Sequence, residues 1–228
     1  MKEEIAALFD FDGVVMDTET QYSEFWNKQG ERYLNTGNFG RLIKGQTLAQ
    51  IFDKYFSRIE DVQQQICKEL DEFEEEMTYE YLPGIELFFY DLHKNGVKMA
   101  LVTSSNDKKM SNVYRIYPRF QGWFDKILTS NHFTRSKPNP ECFLLGMQLF
   151  KVLPRNTYVF EDSFHGLQAG IASGATVVGL ATTNSREAIA DKADYIIDDF
   201  TGMTFERMIT LRKVINCLPE YCKDEKNE

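Results

Sequence analysis

The chain has 228 residues, a length that suggests one large domain or one domain that carries a smaller insert. Hydrophobic residues make up 43% and aromatic residues 14%, which supplies a full core and excludes a disordered chain. The 26 basic and 35 acidic residues give a net charge of −9, which disfavours binding to nucleic acid or to an anionic membrane. No run approaches the roughly 18 apolar residues of a membrane span. Residues 1–5 lack the apolar region of a secretory signal, so we expect a cytoplasmic protein.

Short apolar runs alternate along the chain with longer segments of helical pattern. Runs of this kind are typical of strands buried on both faces, and the segments between them are long enough for crossover helices. Residues 140–150 and 164–173 are two such predicted helices, the second closed by Gly174. The alternation predicts an α/β fold with a doubly wound parallel sheet. The predicted strands are residues 5–9, 97–102, 126–128, 158–160, 176–180 and 195–197.

One long stretch between the first two predicted strands has helical period only. We predict a small all-helical insert at residues 19–81, within a core of residues 1–18 and 82–228. The Leu-Pro-Gly sequence at residues 82–84 would return the chain to the sheet, and the acidic run at residues 69–76 reads as a solvated helix face. The two clearest apolar stripes of the insert are Leu48, Ile51, Phe52, Tyr55 and Phe56, and Val62, Ile66, Leu70, Phe73 and Met77.

The cysteines and histidines lack the close spacing of a zinc site, which disfavours a transition-metal enzyme. Scattered cysteines in a long chain indicate reduced thiols. The cysteines are Cys67, Cys142, Cys217 and Cys222.

Pairs of carboxylates follow two of the predicted strands. Asp10 and Asp12 come after the first, and Glu161 and Asp162 come after residues 158–160. Capping of a turn or helix needs fewer acids, and neighbouring buried carboxylates repel each other unless a cation lies between them. Ligands of parallel sheets bind at the carboxyl ends of the strands, so these four acids should meet. Oxygen ligands of this kind predict a Mg²⁺ site.

Two hydroxyl residues and a lysine are predicted at the same edge of the sheet as the four acids. Thr103 and Ser104 follow the second predicted strand, and an alternative interpretation is that they cap a helix and have no other role. Lys137 precedes Pro138 at the start of a predicted helix, and could be an ordinary surface charge. Beside the acids, however, hydroxyls at a helix start and an ammonium group predict a phosphate cradle.

These motifs, in this order, resemble the four motifs of the haloacid dehalogenase superfamily. The resemblance rests on residues 10–18, Thr103, Lys137 with Pro138, and Glu161 with Asp162, and it extends over residues 5–200. The helical insert resembles the small cap of the β-phosphoglucomutase-like, sugar-phosphate phosphatase branch. The resemblance implies a Rossmann-like core with a helical cap at residues 19–81.

The resemblance also implies a mechanism of phosphoryl transfer. Asp10 would be the nucleophile that forms an aspartyl-phosphate, and Asp12 the general acid and then the general base. The Asp10 carboxylate, the Asp12 backbone carbonyl and Asp162 would bind Mg²⁺, with Glu161 as a further ligand or a residue behind the ligands. The residues implied to hold the phosphoryl oxygens are Thr103, Ser104 and Lys137.

The cap should provide the contacts to the rest of the substrate. Mutases of this branch are expected to carry a His four residues after Thr18 and an Arg shortly after a Lys-Gly pair. This chain has Tyr22 at the first position and no Arg in residues 44–49. These differences favour transfer of the phosphoryl group to water over its transfer back to the sugar. Candidate substrate contacts in the cap are Glu19, Tyr22, Trp26, Lys44, Gln46 and Thr47.

The sequence thus predicts a Mg²⁺-dependent phosphatase of small phosphate monoesters, most simply hexose or pentose phosphates, that acts as a monomer. Glycolate phosphate, nucleotides and pyrophosphate stay open as substrates. One alternative is a β-phosphoglucomutase-like phosphomutase. Another is a non-catalytic domain that binds a phosphate ligand, which is disfavoured because Asp10 and Asp12 are both present.

Overall fold

The computed structural model describes residues 3–44, 46–57 and 59–211, so Cys217 and Cys222 lie outside the described residues. Six strands, all parallel, form one sheet in the order β3-β2-β1-β4-β5-β6, which confirms the doubly wound fold. Each observed strand lies within one residue of its predicted limits. The strands are β1 (Ala6–Phe9), β2 (Lys98–Val102), β3 (Lys126–Leu128), β4 (Thr157–Glu161), β5 (Thr176–Leu180) and β6 (Tyr195–Ile197).

Both faces of the sheet are covered by helices, which is why the strands read as continuous apolar runs. Ala7 and Phe9 point into one hydrophobic cluster, and Ala6 and Leu8 point into the other. Phe9 lies opposite Phe160 in the register of β1 and β4, and their rings stack with centroids 4.6 Å apart. The helices of the core are α5 (Ile85–Lys94), α6 (Asp107–Ile116), α7 (Glu141–Phe150), α8 (Phe164–Ala172) and α9 (Phe205–Thr210).

The elements that the structure describes between β1 and α5 are helices, and they pack around a hydrophobic cluster of their own that includes Trp26, Phe39 and Ile66. Met77, which the sequence assigned to the second stripe of the insert, packs instead in a cluster of the sheet. The limits of the insert, residues 19–81, remain a prediction. Its helices are α1 (Glu19–Leu34), α2 (Phe39–Ile43), α3 (Leu48–Ile51), which continues into a π-helical turn (Phe52–Phe56), and α4 (Glu60–Glu76).

Two chain segments join the helical insert to the sheet, and they run side by side. The amide of Asp17 donates to the carbonyl of Glu80 at 2.8 Å, and the amide of Leu82 donates to the carbonyl of Val15 at 3.0 Å. This pairing holds the insert beside the carboxyl ends of the central strands. In the described part of the chain, no helix has both the length and the apolar character needed to cross a bilayer.

Candidate active site

The carboxyl ends of β1, β2 and β4 meet at the centre of the sheet, where the strand order reverses direction. Asp10 follows β1, Thr103 follows β2, and Asp162 follows β4. A cavity of about 440 Å³ opens here between the sheet edge and the helical insert. Its volume is in the range that accommodates a small organic ligand.

Asp10 and Lys137 form a buried ion pair at the floor of the cavity. The Lys137 ammonium lies 2.7 Å from Asp10 Oδ1 and 2.5 Å from Glu161 Oε1, and the lysine is only 2% exposed. Burial raises the pKa of Asp10 from its ordinary 3.8 to about 7, because Lys137 offsets only part of the desolvation and Glu161 adds negative charge. Although burial opposes it, the two carboxylates raise the pKa of Lys137 well above its usual range. Lys137 is therefore a buried cation held beside Asp10, and its role toward phosphate stays a prediction.

Glu161 is held on both of its carboxylate oxygens. Oε1 accepts from Lys137, while Oε2 accepts from the amide of Asp162 at 3.0 Å and from the amide and hydroxyl of Ser163 at 3.1 Å each. A Cβ at Gly166 would overlap this carboxylate, so the close approach of α8 requires glycine there. These contacts suit a residue that positions Lys137 better than they suit a direct metal ligand.

Asp162 differs from Glu161 in that one of its carboxylate oxygens accepts no hydrogen bond from the described residues. Oxygens of Asp10, Glu161 and Asp162 lie within 4.8 Å of one another. Oδ2 of Asp162 is buried and has no hydrogen-bond partner among the described residues. Burial, and then the charges of Glu19 and Glu161, raise the pKa of Asp162 well above its usual range. An unpartnered carboxylate oxygen within a buried acidic group fits a hard divalent cation such as Mg²⁺.

Four donor contacts fix the carboxylate of Asp12, which also lines the cavity. The Thr18 hydroxyl donates to Oδ1 at 2.5 Å, and the Ser105 hydroxyl donates to Oδ2 at 3.0 Å. The ammonium of Lys109 lies 2.6 Å from both oxygens. Lys109 is 3% exposed, so this is a second buried ion pair in the site.

The predicted phosphate ligands line the same cavity. Thr103 is buried, and its hydroxyl accepts from the amide of Ser105 at 3.0 Å. The hydroxyl oxygen of Ser104 is buried and has no hydrogen-bond partner among the described residues. With Lys137, these groups form a polar cradle whose role toward phosphate remains a prediction.

All six candidates in the insert line the cavity, although several are already committed to other contacts. The Lys44 ammonium pairs with Glu19 at 3.1 Å and donates to the carbonyl of Thr183 at 3.4 Å. Thr47 caps the start of α3, and Gln46 donates to a backbone carbonyl of the insert. Trp26 is 6% exposed and belongs largely to the insert's hydrophobic cluster.

Tyr22 contacts Glu74, a residue that the sequence did not place in the site. Its hydroxyl donates to Glu74 Oε1 at 2.7 Å, and its ring lies 4.3 Å from the Lys109 ammonium. Glu74 is only 6% exposed and lines the cavity. The interpretation of residues 69–76 as a solvated helix face is therefore wrong at Glu74, because that side chain is buried and accepts a hydrogen bond from Tyr22 of α1.

A family comparison agrees with this geometry. The family model described as haloacid dehalogenase-like hydrolase matches residues 7–180, which run from within β1 to the end of β5 and include the acids described above. The chain belongs to the haloacid dehalogenase-like hydrolases.

Relatives of this hydrolase include named phosphatases. The phosphorylated carbohydrates phosphatase of Thermotoga maritima is 28% identical over 176 residues, which cover 74% of this chain and 81% of the relative. Hexitol phosphatase A of Escherichia coli is 27% identical over 189 residues, which cover 76% and 81%. The crystal structure of β-phosphoglucomutase from Clostridium difficile has the same fold, with a TM-score of 0.75 at 24% identity over 91% of this chain and 96% of that one.

The sequence patterns did not predict two charged residues of the hydrolase site, Lys109 and Glu74. Lys109 lies three residues after Asn106, the N-cap of α6, and Lys108 beside it points to solvent. Helical phase relative to that cap could have separated the two lysines. Nothing in the acidic run distinguishes Glu74 from its neighbours except its place on the apolar side of α4, four residues after Leu70.

Proposed function

We propose that this hydrolase is a phosphatase that cleaves monoesters of small phosphorylated carbohydrates through a phosphoaspartate on Asp10. The names of the two curated relatives support this substrate class. The observation that carries the proposal is the convergence of two carboxylates, Asp10 and Asp12, on one cavity beside the fixed cation Lys137.

In the first step, a carboxylate oxygen of Asp10 forms a bond to phosphorus, and the bond from phosphorus to the ester oxygen breaks. Asp12 gives a proton to the departing oxygen, which leaves as an alcohol. The groups that hold the phosphoryl oxygens are Thr103, Ser104 and Lys137. Because they are in place before the substrate binds, they stabilise the transition state without a cost of reorganisation.

In the second step, a water molecule attacks the phosphorus of phospho-Asp10. Asp12, now a carboxylate, accepts the proton of that water, and the bond between phosphorus and Asp10 breaks to release inorganic phosphate. The hydrogen bonds from Thr18, Ser105 and Lys109 keep the Asp12 carboxylate aimed at the cavity in this basic form.

Magnesium fits the acidic end of the site. The carboxylates of Asp10 and Asp162, with the backbone carbonyl of Asp12, would hold it, while Glu161 would stay behind them as the anchor of Lys137. When bound, the ion supplies positive charge that offsets the clustered acids and the phosphoryl oxygens.

The test compares Asp10→Asn with Asp17→Asn, an exposed acid in the same segment, on p-nitrophenyl phosphate and a panel of sugar phosphates. We expect Asp10→Asn to lose at least about a thousandfold in kcat and Asp17→Asn to stay near wild type, with EDTA abolishing the wild-type activity. An Asp10→Asn variant that retains more than about a tenth of the wild-type kcat would refute the nucleophile assignment.

A further inference from the structure

The charges that line the cavity are unevenly paired. Five carboxylates and three ammonium groups face it. Each ammonium group is already bound to a carboxylate, so no unpaired ammonium group remains among the described residues that line the cavity. The three ion pairs are Lys44 with Glu19 at 3.1 Å, Lys109 with Asp12 at 2.6 Å and Lys137 with Asp10 at 2.7 Å.

Two carboxylates of the lining are left over, Asp162 and Glu74. Asp162 belongs to the acidic group that fits a divalent cation. Glu74 lies on the insert, outside that group, and its carboxylate forms no ion pair in the described part of the chain. The hydrogen bond that it accepts comes from the neutral hydroxyl of Tyr22 at 2.7 Å.

We infer that Glu74 is a specificity-determining residue, which excludes substrates with a second anionic group and admits monoesters whose other end is neutral or cationic. The inference rests on the proposed function, since it concerns the leaving group of the same reaction. Burial raises the pKa of Glu74, and the Lys109 charge and the hydrogen bond from Tyr22 oppose that rise. The ionised carboxylate of Glu74 repels a carboxylate or second phosphate in this cavity, and every ammonium group of the described lining is already paired. The hydroxyls of a sugar or sugar alcohol, in contrast, can donate to Glu74 and exchange hydrogen bonds with Tyr22.

The same charge distribution bears on the phosphomutase alternative. A mutase of a sugar phosphate must hold a bisphosphate at one stage, with its second phosphate toward the insert. The insert offers Glu74, Tyr22 and an already paired Lys44 on the lining of that side. This lining favours release of the phosphoryl group to water.

The test uses substrate pairs that differ in one charge. Sorbitol 6-phosphate and 6-phosphogluconate differ in a terminal hydroxymethyl group against a carboxylate, and glucose 6-phosphate and glucosamine 6-phosphate differ in a hydroxyl against an ammonium group. We expect wild-type kcat/KM to favour sorbitol 6-phosphate over 6-phosphogluconate by at least about tenfold, as like charges at close range require. The amino sugar should be cleaved at least as well as glucose 6-phosphate.

The variant Glu74→Gln keeps the size of the side chain and its acceptor for Tyr22 but removes the charge. It should lower the ratio of kcat/KM for sorbitol 6-phosphate to kcat/KM for 6-phosphogluconate by about fivefold or more. The matched control is Glu76→Gln, an exposed acid on the same helix, which should leave the ratio unchanged, and Glu74→Asp should preserve the discrimination.

Two results would overturn the inference: a wild-type ratio within about twofold of one, or the same ratio in Glu74→Gln and wild type. The wild-type ratio decides the matter even if the variant fails to fold. Failure of the proposed function has a different signature, because the enzyme would then cleave none of the four monoesters.

Discussion

Replacement of Lys109 by methionine removes the ammonium group that holds both oxygens of Asp12 and keeps most of the side-chain volume. In the wild-type fold, the Lys109 side chain is 4% exposed and that of Asp12 is 18% exposed. The variant leaves the Asp12 carboxylate with the hydroxyls of Thr18 and Ser105 as its remaining donors.

The cost has a structural and a catalytic part. Loss of one partner of a buried ion pair destabilises a fold by about 3–5 kcal/mol, and the two remaining hydroxyls and the partial exposure of Asp12 reduce this to about 2–3 kcal/mol. The carboxylate also loses the one donor that contacts both of its oxygens, and a displacement of about 1 Å in a catalytic group can cost a hundredfold in rate. We therefore expect kcat/KM for a sugar phosphate to fall by about 10- to 100-fold.

The assay compares a sugar phosphate with p-nitrophenyl phosphate. An alcohol needs a proton to depart and p-nitrophenolate does not, so disorder of Asp12 should reduce kcat/KM, which reports the phosphorylation step, far more for the sugar phosphate. Hydrolysis of the phosphoenzyme needs Asp12 with either substrate, so kcat can fall for both. Urea denaturation of the same samples measures the stability loss. Lys108→Met is the matched control, because that neighbouring side chain is 55% exposed and its ion pair with Asp71 lies on the surface.

An equal loss of kcat/KM on the two substrates in Lys109→Met would refute this prediction. That result would show that Lys109 supports the fold without positioning Asp12. The prediction fails also if Lys108→Met gives the same kinetic pattern.

Two further predictions concern the acidic end of the site. Gly166→Ala places a Cβ within the Glu161 carboxylate and should lower both the melting temperature and kcat, whereas Gly122→Ala, where a Cβ meets nothing, should leave both unchanged; equal behaviour of the two variants would contradict the packing argument. Without metal, the pKa of Asp10 is about 7 in the folded protein, against its ordinary value of 3.8 in an unfolded chain. Protonated Asp10 therefore stabilises the fold fully below the unfolded value, and this stabilisation is lost as the pH rises through the folded value. Magnesium favours the ionised form, so the rise in melting temperature on adding Mg²⁺ over EDTA should be larger at about pH 8 than at about pH 6, and an equal or smaller rise at the higher pH would refute this.

The sheet was predictable because each of its strands is buried on both faces. Leu8 and Phe9 face opposite hydrophobic clusters, so the strand shows no polar alternation and reads as an apolar run. The parallel order then brings the strand ends together, which is why Asp10 and Asp162 could be placed in one site from sequence alone.

The contacts that surround Asp12 and Tyr22 were not predictable in the same way. Lys109 lies 97 residues from Asp12, and Glu74 lies 52 residues from Tyr22. Local pattern gives the helix that carries each residue, but the docking of α4 against α6 decides which side chains of those helices are buried. A lysine or glutamate on an otherwise charged helix therefore looks like surface until its partner helix is in place.

The central claim is that Asp10 carries the phosphoryl group. The most direct measurement is an acid quench of Asp12→Ala during turnover of p-nitrophenyl phosphate, followed by proteolysis and mass spectrometry. This leaving group departs without the proton of Asp12, while hydrolysis of the phosphoenzyme still needs Asp12 as a base, so the intermediate should accumulate. We predict one phosphoryl group on the peptide that contains Asp10, located at that residue; phosphorylation of a different side chain, or steady turnover with an unmodified Asp10, would contradict the account.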